Sequence, residues 1–217
     1  MRVHQVSLAS VLGAGAVLAG CATPTPPAAV ITYAGKACDS QPDLSRAISL
    51  VPQKPPKKNL PHVVTTEVNG QTRCLTRPGG NGPYLVYALE PDHRLKMHTI
   101  GAVQERARVL SPDVSILDRE GRVTRVFGPG DFLFRGGFYS VQFRSRDSEA
   151  FVLFATNPGR VGERRDSIEI GTSTSGYYVA GFSGSYTLGV DNAATRTFSY
   201  EGTAQVVVYD SPADASP

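Results

Sequence analysis

The feature that most constrains the fold is punctuation. From His62 to Tyr209, short runs alternating apolar and polar residues are broken by Gly, Pro, Asn and Asp, and the chain places 22 Gly and 16 Pro among 217 residues. Alternation with period two buries one face of a strand and wets the other, and no stretch sustains the 3.6-residue period of a helix. Residues 63–68 (VVTTEV) run into Asn69-Gly70, the dipeptide best suited to a tight hairpin. Residues 84–89 and 95–100 follow; in the second, Leu95, Met97 and Thr99 alternate with Lys96 and His98, which puts His98 on the polar face. Residues 114–118 and 122–127 flank Arg119-Glu120-Gly121 as a hairpin, and Gly128-Pro129-Gly130-Asp131 makes another turn. Tyr139, Val141 and Phe143 then alternate with Ser140, Gln142 and Arg144. Residues 150–155 (AFVLFA) are apolar throughout and read as a central strand covered on both faces. Runs at 176–179, 185–190 and 204–209 complete about eight to eleven short strands.

The expected fold class is all-β: an antiparallel two-sheet β-sandwich, jelly-roll-like or Greek-key, after a disordered N-terminal tether, with a barrel as the runner-up. A membrane barrel is set aside because its strands need about 9–11 residues and an aromatic girdle, and the chain has no Trp. Hydrophobic residues make up 41% and charged residues 19%, too apolar a mixture for a disordered chain. The net charge of +3 has no concentrated basic footprint beyond Lys57-Lys58, so no nucleic acid partner is expected.

The N-terminus carries an export signal. Arg2 and His4 precede an apolar segment from Val6 to Leu18, followed by Ala19-Gly20-Cys21. Leu18-Ala19-Gly20-Cys21 resembles the lipobox of bacterial lipoproteins. The resemblance implies cleavage after residue 20, diacylglycerol on the Cys21 thiol and an acyl chain (palmitate) on its amino group; no other cofactor is expected. Several acyl chains anchor a protein to a bilayer firmly, so the membrane is the first expected partner. Ala22, where an Asp would signal retention in enteric-type bacteria, points to an outer-membrane lipoprotein with its domain facing the periplasm. The expected organisation is a signal peptide at 1–20, the lipidated Cys21, Pro-rich tether and N-terminal arm at 21–61, a β-sandwich domain at 62–211 and a disordered tail at 212–217. With Cys21 acylated, Cys38 and Cys74 are left as an even pair in an oxidising compartment and are expected to form a disulfide. Its loop of about 37 residues corresponds to about 4 kcal/mol at most. Two free thiols are the rival, without a Cys-X-X-Cys motif to support them.

Within residues 84–158, the run from Arg108 to Asp118 (RVLSPDVSILD), Phe127, and Ala150 to Asn157 (AFVLFATN) resemble the periplasmic protein of the maltose operon and its relatives. Ala155-Thr156 stands where that family has a Thr pair. Leu117-Asp118 with Gly121, and Gly137 to Val141 (GFYSV), also resemble the pre-peptidase C-terminal sandwich domain of secreted proteins. Both imply a non-catalytic exported β-domain, and the first implies an accessory role in carbohydrate transport.

The residues themselves offer little chemistry. Gly181-Phe182-Ser183-Gly184-Ser185 misses the nucleophile-elbow spacing by one place. His4, His62, His93 and His98 lack the spacing of a metal site and are expected to be exposed imidazoles. Asp118, Glu120 and Asp131 fall in turns that favour acidic residues for structural reasons. No catalytic residue and no metal ligand is therefore assigned. Residues 171–187 (GTSTSGYYVAGFSGSYT) differ from the rest: Tyr177, Tyr178, Phe182 and Tyr186 are candidate ligand-binding positions, where rings stack on a sugar and Ser and Thr hydroxyls hydrogen-bond it. Three readings remain: an accessory envelope lipoprotein whose partner is an envelope protein, a module binding a glycan such as maltodextrin or peptidoglycan, and, last, a lipid-anchored hydrolase.

Overall fold

The structure is a computed structural model describing residues 33–54, 60–91, 96–135, 137–179 and 182–209. The expected signal peptide 1–20, Cys21, the expected tether to residue 32, Lys57, Lys58, His93 and the expected tail 212–217 lie outside the described residues. The strands in chain order are β1 (Ile48–Ser49), β2 (His62–Val68), β3 (Cys74–Leu75), β4 (Gly82–Ala88), β5 (Met97–Val103), β6 (Arg108–Leu110) and β7 (Pro112–Leu117). They continue with β8 (Val123–Phe127), β9 (Leu133–Arg135), β10 (Phe138–Arg144), β11 (Phe151–Thr156), β12 (Arg164–Val179), β13 (Phe182–Ser199) and β14 (Gly202–Tyr209).

The fold is all-β. One sheet runs β1-β4-β11-β7-β8, with β3 also on β4, and a second runs β2-β14-β5-β10-β9. Pairing is antiparallel within them except for β1 on β4. Inward residues from both sheets meet in one core: Ile100 and Ala102 of β5, Tyr139, Val141 and Phe143 of β10, and Ala204, Val206 and Val208 of β14 lie against Val114 and Ile116 of β7 and Val152 and Phe154 of β11. Each Val, Ile or Phe among them contributes about 1.5–3 kcal/mol on burial, each Ala less. β11 is central, between β4 and β7, as its unbroken apolar run requires. Its other face, Phe151, Leu153 and Ala155, packs with Leu75, Tyr84, Val86, Leu44 and Ala47 in a second cluster outside the sandwich.

That second cluster is where the N-terminal arm is held. Residues 44–46 form a single 3-10 turn, and β1 follows parallel to β4. Leu50 is fully buried in the main core, its N–H donating to Ala88 O at 3.0 Å. Tyr33 is also fully buried, its ring 5.3 Å from that of Tyr200 and its hydroxyl donating to Asn69 O at 3.0 Å. Residues 33–50 are thus built into the body.

Three local expectations change. Asn69-Gly70 makes a turn, with Asn69 Oδ1 accepting from Gln71 N and Asn69 O from Thr72 N, but not a hairpin. β2 pairs with β14, which puts Val68 in the core, while β3 crosses to β4 in the other sheet. His98 is not on a wet face: it is fully buried, stacked at 5.3 Å on Phe143. The register of β5 with β10 and β14 turns His98, Ile100 and Ala102 inward, so the imidazole takes a core position. Gly101 between them is obligatory, since a Cβ there would overlap Tyr139 O and stand 2.6 Å from Ser140 Cα.

The third change concerns strand length. β12 and β13 have 16 and 18 residues, and pair without a break from Arg164–Thr197 to Val179–Phe182. Among the described residues the ribbon pairs with the body at its base: Thr197 to Ser199 pair in parallel with β6, and Phe198 is fully buried in the core. The short runs expected at 176–179 and 185–190 are the outer part of this ribbon.

Candidate functional site

Two regions hold the residues available for function. The first lies where the arm crosses the outer face of the β4–β11 sheet. Cys38 and Cys74 form a disulfide with Cα atoms 4.8 Å apart, which brings their neighbours Asp39 and Arg73 together. Asp39 N donates to Cys74 O and Thr76 N to Asp39 O, both at 2.8 Å, so the arm adds a short bridge beside β3. Arg73 grips Asp39 with two bonds, Nε to Oδ2 at 2.9 Å and Nη2 to Oδ1 at 2.7 Å, and reaches Asp43 Oδ2 at 2.7 Å through Nη1. The planar guanidinium fork suits this bidentate geometry, which an ammonium cannot reproduce. Tyr84 completes the clasp: its hydroxyl donates to Asp39 Oδ2 at 2.7 Å and accepts from Asp43 N at 3.1 Å.

The electrostatics follow from these contacts. Hydrogen bonds from Arg73 and Tyr84 hold the Asp39 carboxyl below its ordinary value. Ser45 is the main cause of the same shift at Asp43, helped by Arg73. Burial pushes the Tyr84 phenol up, and the bonds to Asp39 push the Arg73 guanidinium up. At neutral pH both carboxylates are ionised and the phenol is protonated, so no group here is poised to exchange a proton. Beside the clasp lies a cleft of about 270 Å³ floored by Ile48, Leu85 and Val86 and rimmed by Arg46 and Arg73. That is just below the roughly 300–1,000 Å³ of ordinary ligand sites. The chemistry is that of a latch: the disulfide and the Arg73 clasp fix the arm.

The acidic residues singled out in the sequence each serve a turn. Asp118 Oδ1 accepts from Glu120 N at 3.0 Å and Arg122 N at 2.9 Å, and Oδ2 binds Arg122 Nε at 2.7 Å. Burial opposes ionisation of Asp118, but the Arg122 and Glu120 bonds prevail and hold its carboxyl down. Gly121 in the same turn has φ +82°, the left-handed conformation that favours glycine. Glu120 pairs with Arg122 at 2.9 Å, and Asp131 Oδ2 accepts from Gly128 N at 2.8 Å. His62 begins β2 and His98 lies in β5, each opposite Val208 of the β14 strand between them. Among the described residues no group of three or more His, Cys, Asp and Glu could hold a metal ion.

The second region is the ribbon, which carries all four aromatic candidates. Register sets Tyr177 opposite Gly184, Tyr178 opposite Ser183, Phe182 opposite Val179 and Tyr186 opposite Ser175. By the two-residue period, positions 177, 182 and 186 share one face and position 178 lies on the other. Tyr178 is 76% exposed; the side chains of Tyr177, Phe182 and Tyr186 lie outside the described residues.

Sequence reasoning missed the Arg73 clasp, because Asp39, Asp43, Arg73 and Tyr84 carry no motif and meet only through the disulfide and the β3–β4 pairing. It also missed a buried ion pair, Glu149 with Arg125, bonded at 2.6 and 2.7 Å. The ribbon did leave a signal: residues 170–190 contain no Asp, Glu, Lys or Arg. No family model matches the chain, and neither the curated proteins nor the solved structures yield a match.

Proposed function

We propose that this chain is an exported lipoprotein of the bacterial cell envelope, anchored to the outer membrane through Cys21, whose β-sandwich works in the periplasm without covalent chemistry and is accessory to carbohydrate transport. The observation that carries the reading is the Cys38–Cys74 disulfide. Disulfides persist in oxidising compartments, and this one latches to the body an arm that follows a leader ending in Leu18-Ala19-Gly20-Cys21. The carbohydrate role rests on the likeness of residues 84–158 to the maltose-operon periplasmic family.

Metabolic labelling with palmitate tests the anchor. The wild-type chain should take up label and sediment with outer membranes, and Cys21→Ser should do neither. Equal labelling of both, or a soluble wild-type chain, sinks the lipoprotein reading. Maltodextrin is the probe for the carbohydrate role: at about 100 times the dissociation constant it should stabilise the folded state by about 2.7 kcal/mol. An unchanged melting temperature would remove carbohydrate from the proposal.

A further inference from the structure

The ribbon is a poor structure for water. Between the Asp166–Thr195 and Val179–Phe182 pairs, β12 and β13 pair with each other and, among the described residues, with no third strand, because β6 reaches only Thr197 to Ser199. An isolated two-stranded ribbon is marginally stable, and among the described residues no further strand pairs with either outer edge of this stretch. Its 14 residues per strand correspond to roughly 45 Å. A Cβ built at Gly176 would meet nothing nearer than Gly184 O at 3.8 Å, and Gly176, Tyr178, Ser183 and Ser185 are exposed.

Its sequence matches another solvent. The uncharged stretch gives ten residues (170–179) to β12 and nine (182–190) to β13. A tilted strand needs about 9–11 residues to cross a bilayer. The first charges flanking the stretch are Glu169 and Asp191, one register step apart at the base. Register divides the residues between two faces. On β13 one face carries Phe182, Tyr186, Leu188 and Val190 and the other Ser183, Ser185 and Thr187. On β12 the first face continues with Tyr177 and Val179 but also Ser173 and Ser175, and the second with Thr172 and Thr174 but also Ile170 and Tyr178. The alternation along β13, apolar on one side and hydroxyl-bearing on the other, is the pattern of a barrel strand between lipid and water, and aromatic residues gather at the ends of such strands. Tyr177, Tyr178, Phe182 and Tyr186 cluster at the end of the ribbon far from the body.

We propose that the β12–β13 ribbon inserts into a membrane and that copies of this chain join their ribbons edge to edge, β12 of one beside β13 of the next, into a shared transmembrane β-barrel. Closure follows from the solvent: within hydrocarbon every backbone N–H and C=O must be paired, and an open edge does not survive. Each copy supplies two strands and the smallest barrels have about eight, so about four copies or more are required. The Ser/Thr face lines a water-filled lumen and the Leu188 face meets lipid. That no helix among the described residues is long and apolar enough to cross a membrane leaves this route open, because the crossing is made by strands. The inference does not rest on acylation of Cys21.

The test uses the full chain, purified from membranes in detergent and reconstituted into vesicles of phosphatidylethanolamine and phosphatidylglycerol. Cysteines are introduced singly at positions 183–190, labelled with an environment-sensitive dye and quenched from lipid or from water. The expected result is alternation along β13, even positions quenched from lipid and odd positions from water, with dye release and crosslinked species of four or more copies. Leu188→Asp should cut dye release about tenfold or more, because it places a charge on the lipid face, whereas Thr187→Asp should leave it within about twofold. Both variants should keep the wild-type melting transition of the sandwich. Uniform exposure to water at 183–190, or monomers alone in the vesicles, would overturn the proposal. The mass of the purified chain reports Cys21 acylation separately, so this inference and the lipoprotein reading fail independently.

Discussion

Glu149→Ala is the sharpest test of how the core tolerates charge. The Glu149 side chain is fully buried, and Arg125 meets it with a fork, Nε to Oε1 at 2.6 Å and Nη2 to Oε2 at 2.7 Å. The carboxylate also accepts from Arg146 N at 2.7 Å and, more weakly, from Thr124 Oγ1 at 3.4 Å. Removing one partner of a buried pair costs about 3–5 kcal/mol, because the other charge is left uncompensated. Arg125 is 20% exposed, keeps its bond to Arg144 O at 2.9 Å and lies over the Phe143 and Phe127 rings at 5.3 and 5.6 Å. These contacts place the expected loss at the lower end, about 3 kcal/mol. In urea unfolding followed by far-UV circular dichroism, with a slope of about 2 kcal/mol/M, that moves the midpoint down by about 1.5 M. The double variant Glu149→Leu with Arg125→Met leaves no orphaned charge and should unfold within about 1 kcal/mol of the wild type. A loss below about 1 kcal/mol for Glu149→Ala would mean that water reaches the pair, and the buried-charge argument would be wrong.

Two further outcomes follow from the fold. The Asp39 and Asp43 carboxyls are held below the ordinary 3.8 in the folded chain, so their contribution is complete above that value and is lost as pH falls through the folded-state values. A melting-temperature series in acid should therefore fall less steeply for Arg73→Met than for the wild type; parallel curves would show that the clasp does not set the acid response. Gly101→Ala should destabilise by about 1–3 kcal/mol, because the methyl group meets backbone atoms of β10 rather than a side chain that can move. Gly130→Ala, where a Cβ meets nothing within 4 Å, should stay within about 0.5 kcal/mol in the same urea experiment.

Much of the sandwich was legible because its signals are local. The β7–β8 hairpin follows from alternation meeting at an Asp-Arg-Glu-Gly turn, with Asp118 and Gly121 each doing what their chemistry favours. β11 read correctly as a central strand because a six-residue apolar run leaves no face for water. Alternation alone could not say which face of β5 enters the main core. Its two faces carry residues of similar polarity, and neighbours on β10 and β14 decided that His98 goes inside. The ribbon failed for a different reason: Gly and Ser residues between 171 and 185 read as loop punctuation, although Gly171, Gly176 and Gly184 sit within continuous strands.

By itself the sequence determined the class of structure, the positions of most strands and turns and the even pairing of Cys38 with Cys74. Those depend on the period of the side chains, on backbone preferences of Gly, Pro, Asn and Asp, and on counting. Only the tertiary structure decided which strands are neighbours, that β2 skips its nearest partner for β14, that Arg73 closes on Asp39 and Asp43, and that β12 and β13 leave the body as one ribbon. Such choices are made by the burial of whole faces and by contacts between residues far apart in the chain, and no window of local sequence contains both sides of those contacts.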